Sequence, residues 1–158
     1  MVIRAGAERL DELEPSWNAL RAHHHAVTPH WGALRDADDS WARRRATYAA
    51  ILAEGGVLFL AVEDERIAGH AICETEHGGS PTWVWLQDVL ALVDLVVLPE
   101  FRGRGIGAAL MAAVEAEGRK RGVAALDLAV VAPNTGARRF YERHGFRADI
   151  VTYRKPLG

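Results

Sequence analysis

The feature that most constrains this chain is an apolar run followed at once by a glycine-rich turn and a helical pattern. From Val89 to Leu98 every residue is apolar except Asp94, as expected of a strand that is covered on both faces. Apolar residues then recur at helical spacing from about Ile106 to Arg121. We therefore predict a strand, a glycine-rich loop and a helix in direct succession.

The loop between the strand and the helix has the composition of an anion site. Gly103, Gly105 and Gly107 lack a Cβ, so the backbone can come close to a ligand. The N–H groups of the first helical turn have no partner inside the helix, and the macrodipole adds positive potential there. Arg102 and Arg104 add two full charges beside these amides. The loop therefore predicts a site for a phosphate or pyrophosphate.

The spacing of the glycines distinguishes between three known kinds of anion-binding loop. The dinucleotide fingerprint needs its third glycine one residue after Gly107, and the phosphate loop of nucleotide triphosphatases ends in Gly-Lys-Ser/Thr rather than Gly107-Ala-Ala. The pattern Arg102-x-x-Gly105-x-Gly107 instead resembles the Arg/Gln-x-x-Gly-x-Gly/Ala motif of the GNAT superfamily of acetyltransferases. Members of that superfamily hold the pyrophosphate of acetyl-CoA with this motif. A plain solvated turn is the alternative.

A second motif strengthens the resemblance. The run Asn134-x-x-Ala137-x-x-Phe140-Tyr141-x-x-x-Gly145-Phe146 is similar to the GNAT motif that follows the fifth strand. It lies one helix and one strand after the glycine loop, as it does in the family. The resemblance implies a mixed α/β, GNAT-like acyl-CoA N-acyltransferase fold. Its central sheet is mostly antiparallel, its parallel strands 4 and 5 splay apart, and helices cover both faces.

Other elements follow from local patterns. In the N-terminal half, turn residues and apolar periodicity predict a strand at Val2–Arg4, a first helix kinked or restarted near Pro15, a loop at His23–His25, and a second helix with Ser40 as its N-cap. A hairpin of Val57–Val62 and Ile67–Glu74 follows. In the C-terminal half, the same signals predict a buried strand at Ala125–Val131, a short helix at Thr135–His144, and a last strand or pair of strands at Phe146–Lys155.

Length and composition limit the classes of protein that need to be considered. The chain has 158 residues, of which 49% are hydrophobic and 25% charged, with a net charge of −2 and one cysteine. We expect a single domain, 1–158, in the cytoplasm, without a nucleic-acid or membrane partner. A homodimer is possible by family habit. Three adjacent histidines point in different directions on a regular backbone, so no metal site is predicted.

The resemblance implies acyl transfer from the thioester of acetyl-CoA to an amine, by direct attack. The pantetheine arm would bind the exposed backbone in the gap beside the fourth strand, and a backbone N–H near Leu95 would stabilise the oxyanion. The cofactor-binding residues implied in this way are Leu95, Val96, Val97, Arg102, Gly103, Arg104, Gly105, Ile106, Gly107, Ala108, Asn134 and Tyr141.

Two of these residues have a second interpretation. Tyr141 is where the family places the general acid that protonates the leaving thiolate, but it could instead be a core aromatic beside Phe140. Asn134 could bind the pantetheine arm, cap its own helix, or do both.

The general base is less well defined. Glutamates used by ribosomal-protein and histone acetyltransferases fall at Ala129 and near Ala91, and both are alanine in this chain. Asp94 on the cofactor strand is the nearest remaining carboxylate, although it could be a structural hydrogen-bond acceptor. The other candidates are Asp88, Glu74, Glu76 and a chain of water molecules.

The sequence thus predicts an acetyl-CoA-dependent N-acetyltransferase acting on an unidentified primary amine. The first two helices and the loop from Gly78 to Trp85 should form the acceptor pocket. A non-catalytic acyl-CoA sensor and a nucleotide-binding regulatory domain are the rival interpretations.

Overall fold

A five-stranded sheet forms the centre of the computed structural model, which describes residues 1–78, 81–82 and 88–157. The strands are β1 (Val2–Ala5), β2 (Val57–Glu63), β3 (Arg66–His77), β4 (Asp88–Val97) and β5 (Ala125–Leu128), and they lie side by side in chain order. Strands β1 to β4 pair antiparallel, whereas β5 pairs parallel to β4. The mixed α/β class and the mostly antiparallel sheet are therefore confirmed.

Helices pack on both faces of this sheet, as predicted. They are α1 (Glu14–Val27), α2 (Ala37–Ala53), α3 (Ile106–Arg121) and α4 (Thr135–Arg143), with short 3₁₀ segments at Ala7–Leu13, Pro29–Trp31 and Pro99–Phe101. Side chains alternate between faces along a strand, so the sheet has two cores. One core, around Leu90, Leu110 and Val114, lies under α3, and the other, around Leu13, Tyr48 and Leu60, lies under α1 and α2. No helix in the described ranges is both long and apolar enough to cross a bilayer.

The first helical region restarts at Pro15, as expected. The 3₁₀ segment ends at Leu13, and Pro15 lies in the first turn of α1, where a missing N–H costs nothing. The predicted loop at His23–His25 is wrong, because these residues form the last turns of α1. Thr28 donates both its N–H and its hydroxyl to the carbonyl of His24, and these bonds hold that helix end closed.

The predicted N-cap of the second helix is also wrong. Asp36 caps α2, since its carboxylate accepts the N–H groups of Asp38 and Asp39. Ser40 lies inside the helix, and its hydroxyl accepts the indole N–H of Trp17 at 3.1 Å. Serine and aspartate have similar N-cap preferences, so the sequence alone did not distinguish Ser40 from Asp36 as the cap.

The C-terminal strands differ most from the sequence prediction. β5 ends at Leu128 rather than Val131 and is only half-buried, and the predicted strand at Phe146–Lys155 has no regular structure. Ile150 and Tyr153 are 83% and 91% exposed. Their β-branched and aromatic side chains suit a sheet surface, but strand propensity acts through packing against a neighbour. No neighbouring strand lies beside them among the described residues.

The pairing of β4 places an open edge in the sheet. β4 and β5 pair only from Val89–Ala125 to Leu92–Leu128, while β4 continues to Val97 with β3 alone beside it. Val93 is an extra residue in β4, because Ile72 pairs with Asp94 and Cys73 with Leu92. Such a bulge bends and twists a strand. The pairing of the fourth and fifth strands therefore ends where the predicted gap should begin.

Gly69 allows β3 to approach the open part of β4 closely. A Cβ at this position would lie 2.3 Å from the carbonyl oxygen of Val96 and 3.1 Å from Cα of Val97. We predict that Gly69→Ala lowers the free energy of unfolding by about 1–3 kcal/mol, because backbone atoms cannot move aside cheaply. Urea denaturation measures this change.

Gly136→Ala is the matched control. Its Cβ would meet nothing closer than 3.8 Å inside α4, and alanine is favoured over glycine in a helix by about 0.5–1 kcal/mol. Equal unfolding midpoints for Gly69→Ala and the wild type would contradict the close approach inferred here.

Candidate functional site

The open edge of β4 is the first component of the candidate site. Beyond Leu92 the strand no longer pairs with β5, so the backbone groups of Val93 to Val97 that do not bond to β3 lie at an unpaired edge, except the Val97 carbonyl, which accepts from Arg102 Nε. Leu95 and Val97 direct their side chains to the core under α3, and Val96 is buried on the other face. An extended ligand with amide groups can therefore bond to this edge as a strand would.

The glycine loop is the second component, and it leads directly from the end of β4. Gly103 and Gly105 have φ values of +76° and +78°, which favour glycine. Gly105 is the N-cap of α3 and provides no side-chain cap, and the first helical hydrogen bond runs from Ala109 N to Gly105 O at 3.0 Å. The amides of Ile106, Gly107 and Ala108 precede that bond and are available to an anion.

Arg102 and Arg104 hold the glycine loop in place through hydrogen bonds and also give it positive charge. Arg102 Nε donates to the carbonyl of Val97 at 3.1 Å, and Arg104 Nη2 donates to the carbonyl of Glu100 at 3.1 Å. The Arg104 guanidinium also lies 3.8 Å from the Glu63 carboxylate and 5.4 Å from the centre of the Phe101 ring. Arg102 is thus anchored to the end of β4, and Arg104 to the 3₁₀ segment after it and to the end of β2.

Helix α4 contributes the residues of the second motif. Asn134 is buried, and its side-chain oxygen accepts the N–H of Ala137 at 3.2 Å, so the capping role is present. Tyr141 packs edge-on against Phe140 and Phe146, with ring centres 5.4 and 5.7 Å away. Burial, and secondarily the charge of Asp94, raises the pKa of Tyr141 to about 12. Tyr141 is therefore a partly buried aromatic of the core under α3 as well as a candidate acid.

The Asp94 carboxylate lies on the opposite face of β4 from α3, at the base of the acceptor helices. Its Oδ2 accepts the hydroxyl of Tyr48 at 2.6 Å and lies 3.4 Å from Arg44 Nη1. Arg44 in turn stacks over the ring of Trp17, with its Cζ 4.2 Å from the ring centre. Burial raises the pKa of Asp94, while Arg44, Tyr48 and His24 act against that rise. A carboxylate of raised pKa is a stronger base than an exposed one.

A buried histidine completes this group. His70 is fully buried on β3, with Nδ1 2.9 Å from Ser16 Oγ and Nε2 3.4 Å from the Tyr48 hydroxyl. Burial and the charge of Arg44 lower the pKa of His70 to about 3, so the imidazole is neutral. We call this set the Asp94 cluster; it comprises Ser16, Arg44, Tyr48, His70 and Asp94.

The structure places the alternative bases away from the cluster. Asp88 is half-exposed at the start of β4 and lies 3.2 Å from His77 Nδ1. Glu74 and Glu76 pair with Ala91 and Val89, before the bulge. The predicted pocket segment from Gly78 to Trp85 lies largely outside the described residues. No group of metal-ligating side chains occurs among the residues that are described.

Sequence reasoning missed most of the cluster, although signals for it existed. Arg44 falls between Trp41 and Tyr48 at helical spacing, so a charge lies on the buried face of α2. His70 interrupts the apolar part of β3, residues 67–73, and is buried, as is Ile72 on the same face. A charged or titratable residue on an apolar face is a signal for a buried polar network.

Comparison with known proteins agrees with this geometry. The family model described as the acetyltransferase (GNAT) family matches residues 17–146. An aminoalkylphosphonate N-acetyltransferase from Salmonella typhimurium is 38% identical over 73 residues, which cover 46% of each chain. The uncharacterized N-acetyltransferase MJ1207 from Methanocaldococcus jannaschii is 42% identical over 65 residues, covering 41% of this chain and 29% of that protein. The matched stretches thus span less than half of these relatives.

Solved structures share the fold. The tetramutant of the BH1408 protein from Bacillus halodurans superposes with a TM-score of 0.84 at 23% identity over 99% of both chains. The aminoglycoside N-acetyltransferase AAC(6')-Iy in complex with CoA gives a TM-score of 0.66 at 21% identity, covering 99% of this chain and 100% of that one. At these identities the likeness shows the fold alone. Because the family model covers most of the sequence, and because the early end of the β4–β5 pairing and the glycine loop fit it, this chain belongs to the acetyltransferase (GNAT) family.

Proposed function

We propose that the protein is an acetyl-CoA-dependent N-acetyltransferase that acts on a primary amine. The observation that carries this proposal is the stretch of β4 beyond its pairing with β5, which leads directly into the glycine loop. Asp94 on this stretch and Tyr141 on α4 are the candidate base and acid. A thioester arm needs an open strand edge, a diphosphate needs free amides, and acyl transfer to an ammonium needs one group to take a proton and another to give one.

Binding is divided between the two components of the site. The amides of Gly103 to Ala108, with the anchored Arg102 and Arg104, bind the pyrophosphate at the N-terminus of α3. The backbone of Leu95, Val96 and Val97 bonds to the amides of the pantetheine arm. Asn134, at the start of α4, contributes to the far side of the gap.

The transfer step follows from the positions of the two titratable groups. Asp94 accepts a proton from the acceptor's ammonium, and the freed nitrogen attacks the thioester carbon. A backbone N–H near Leu95 stabilises the developing oxyanion, an interaction whose loss costs about 3 kcal/mol of barrier in other acyl-transfer enzymes. As the tetrahedral adduct collapses, the C=O bond re-forms, the C–S bond breaks and Tyr141 gives its proton to the leaving thiolate. The second proton, which the nitrogen loses on becoming an amide, restores the Tyr141 hydroxyl.

The two groups assist each other electrostatically. The charge of Asp94 helps to raise the pKa of Tyr141. Burial is the larger cause of that rise. Neutralising Asp94 removes the smaller cause, so proton transfer to Asp94 favours proton donation by Tyr141.

The acceptor is proposed only as a class. The relatives named above are called aminoalkylphosphonate and aminoglycoside acetyltransferases, and both names denote amine acceptors. The direct test is thiol release from acetyl-CoA by the wild-type protein across amino acids, polyamines, aminoalkylphosphonates, aminoglycosides and peptide N-termini. An amine-dependent release supports the proposal, and no release with any of these classes contradicts it.

Tyr141→Phe should lower kcat by about 100-fold and leave the Kd for acetyl-CoA nearly unchanged, because only the proton donor is lost. Thiol-release kinetics and isothermal titration measure the two quantities. Tyr153→Phe is the matched control, since Tyr153 is exposed in the C-terminal segment. If the Tyr141→Phe enzyme had the wild-type kcat, Tyr141 would not be the general acid.

The nucleotide-binding rival has its own test. Isothermal titration that shows binding of ATP or NAD, and no binding of acetyl-CoA, would favour that rival.

Asp94→Asn should also lower kcat by about 100-fold or more, whereas Asp88→Asn should have little effect. In the wild type, kcat/KM should fall as the pH decreases through the raised pKa of Asp94, because the base must be ionised. That acidic limb should vanish in the Asp94→Asn variant. The reverse result, with Asp88→Asn inactive and Asp94→Asn active, would assign the base to the exposed carboxylate.

Gly105→Ala should weaken acetyl-CoA binding by about tenfold. A non-glycine residue at φ +78° costs about 1–2 kcal/mol, so the loop shifts and its amides turn away from the anion. Gly55→Ala is the control, because Gly55 has φ +89° and equally open space but lies after α2. Gly55→Ala should lower stability without changing the Kd for acetyl-CoA. If Gly55→Ala and Gly105→Ala weakened acetyl-CoA binding equally, backbone strain anywhere in the fold would explain the effect, and the loop would have no specific role.

Three further predictions accompany this function. We propose that residues 1–158 form one acetyltransferase domain and that the chain works in a reducing cytoplasm, for which its single cysteine, the free and buried Cys73, is the supporting observation. A homodimer stays a prediction, and sedimentation of the purified protein measures it.

A further inference from the structure

The hydrogen atoms of the buried polar chain can be assigned from its geometry. The Ser16 hydroxyl donates to the carbonyl of Leu13 at 2.8 Å, and a hydroxyl has only one hydrogen to give. Ser16 Oγ must therefore accept from His70 Nδ1, which lies 2.9 Å away. His70 is fully buried and neutral, so its Nε2 carries a lone pair.

That lone pair faces a hydroxyl whose hydrogen is engaged elsewhere. The Tyr48 O–H donates to Asp94 Oδ2 at 2.6 Å, and its oxygen lies 3.4 Å from His70 Nε2. With Asp94 ionised, Nε2 is an acceptor without a full hydrogen bond of its own. The Asp94 carboxylate thus accepts a full hydrogen bond from Tyr48, whereas His70 Nε2 can accept one more.

We propose that His70 is a positioning residue that allows Asp94 to take and release a proton at Oδ2, the oxygen that Tyr48 and Arg44 contact. When Oδ2 takes a proton, its new O–H donates to the Tyr48 oxygen. The Tyr48 hydrogen then turns from Asp94 to His70 Nε2. One hydrogen bond reverses, no covalent bond changes beyond the proton on Asp94, and His70 stays neutral. This inference deepens the proposed function and depends on the role given there to Asp94.

The surroundings of Asp94 make such a reversal necessary when the proton is on Oδ2. The titratable groups that face it are Arg44 and Tyr48 on α2, His24 on α1, His70 on β3 and Tyr141 on α4. Arg44 and the Tyr48 hydroxyl favour the carboxylate form. Without an alternative acceptor for Tyr48, a hydrogen on Oδ2 and the Tyr48 hydrogen would face each other across 2.6 Å, and a buried donor left without an acceptor is costly. A proton on Oδ1 would leave Oδ2 to accept from Tyr48 and would need no reversal, so in that case His70→Leu would not move the pKa of Asp94.

The test follows the carboxyl carbon of Asp94 by ¹³C NMR as a function of pH, with the resonance assigned by its loss in the Asp94→Asn variant. His70→Leu removes the second acceptor, so the pKa of Asp94 should fall by about 0.5–1 pH unit. Tyr48→Phe removes the donor to the carboxylate, so the pKa of Asp94 should rise. Shifts in opposite directions from two neighbouring buried residues are not expected from a packing role.

Two variants serve as controls. His70→Gln retains a carbonyl acceptor near the position of Nε2 and should keep the pKa of Asp94 close to the wild-type value. Leu60→Val alters the buried residue that pairs with His70 across β2 and β3. It should lower the melting temperature without moving the pKa of Asp94.

The outcomes separate this inference from the proposed function. An unchanged pKa of Asp94 in His70→Leu, or a fall in Tyr48→Phe, overturns the inference even if the enzyme acetylates amines. If His70→Leu does not fold, Tyr48→Phe and His70→Gln decide the question by the same measurement. Opposite shifts in a protein that releases no thiol with any amine would uphold the hydrogen-bond chain and contradict the proposed function alone. In an active enzyme, the acidic limb of kcat/KM should shift with the pKa.

Discussion

The end of pairing between β4 and β5 is the constraint on which the candidate site depends. Four residues of β4 pair with β5, and the strand then continues with only β3 beside it. Unpaired backbone groups inside a fold are costly unless water or a ligand satisfies them. The bulge at Val93 makes the separation possible, because it twists β4 without breaking its pairing with β3. The glycine loop and the N-terminus of α3 follow this opened strand directly.

The gap also explains why a carboxylate is buried so deeply. Asp94 follows the bulge and lies under α1 and α2, where an unpaired charge would be very costly. Arg44 neutralises it, Tyr48 donates to it, and His70 and Ser16 extend the chain into the core. Every side-chain hydrogen-bond donor of Ser16, Tyr48 and His70 has an acceptor, and His70 Nε2 keeps spare accepting capacity. A buried network is tolerated when its donors are satisfied in this way. The same contacts that make the charge tolerable also govern how readily it accepts a proton.

Much of the architecture was predictable because its signals are local. The strand, glycine loop and helix α3 were located to within a residue, and Asn134 was recognised as the cap of α4. The errors occurred where local signals compete. Ser40 and Asp36 are both acceptable N-caps, and tertiary packing and the competing carboxylate decided between them. The strand predicted after Phe146 failed because β-propensity is realised only against a neighbouring strand.

The sequence by itself indicated the family, through two motifs that resemble those of acetyltransferases, and located the glycine loop and helix α3, because glycine spacing and apolar periodicity act over a few neighbouring residues. It also identified Asp94 and Tyr141 as candidates, and their roles remain proposals. Only the tertiary structure brought Arg44, Tyr48 and His70 to Asp94, from two other elements of the chain. Contacts between residues far apart in sequence depend on register, bulges and helix packing. No pattern within a single segment encodes those distances.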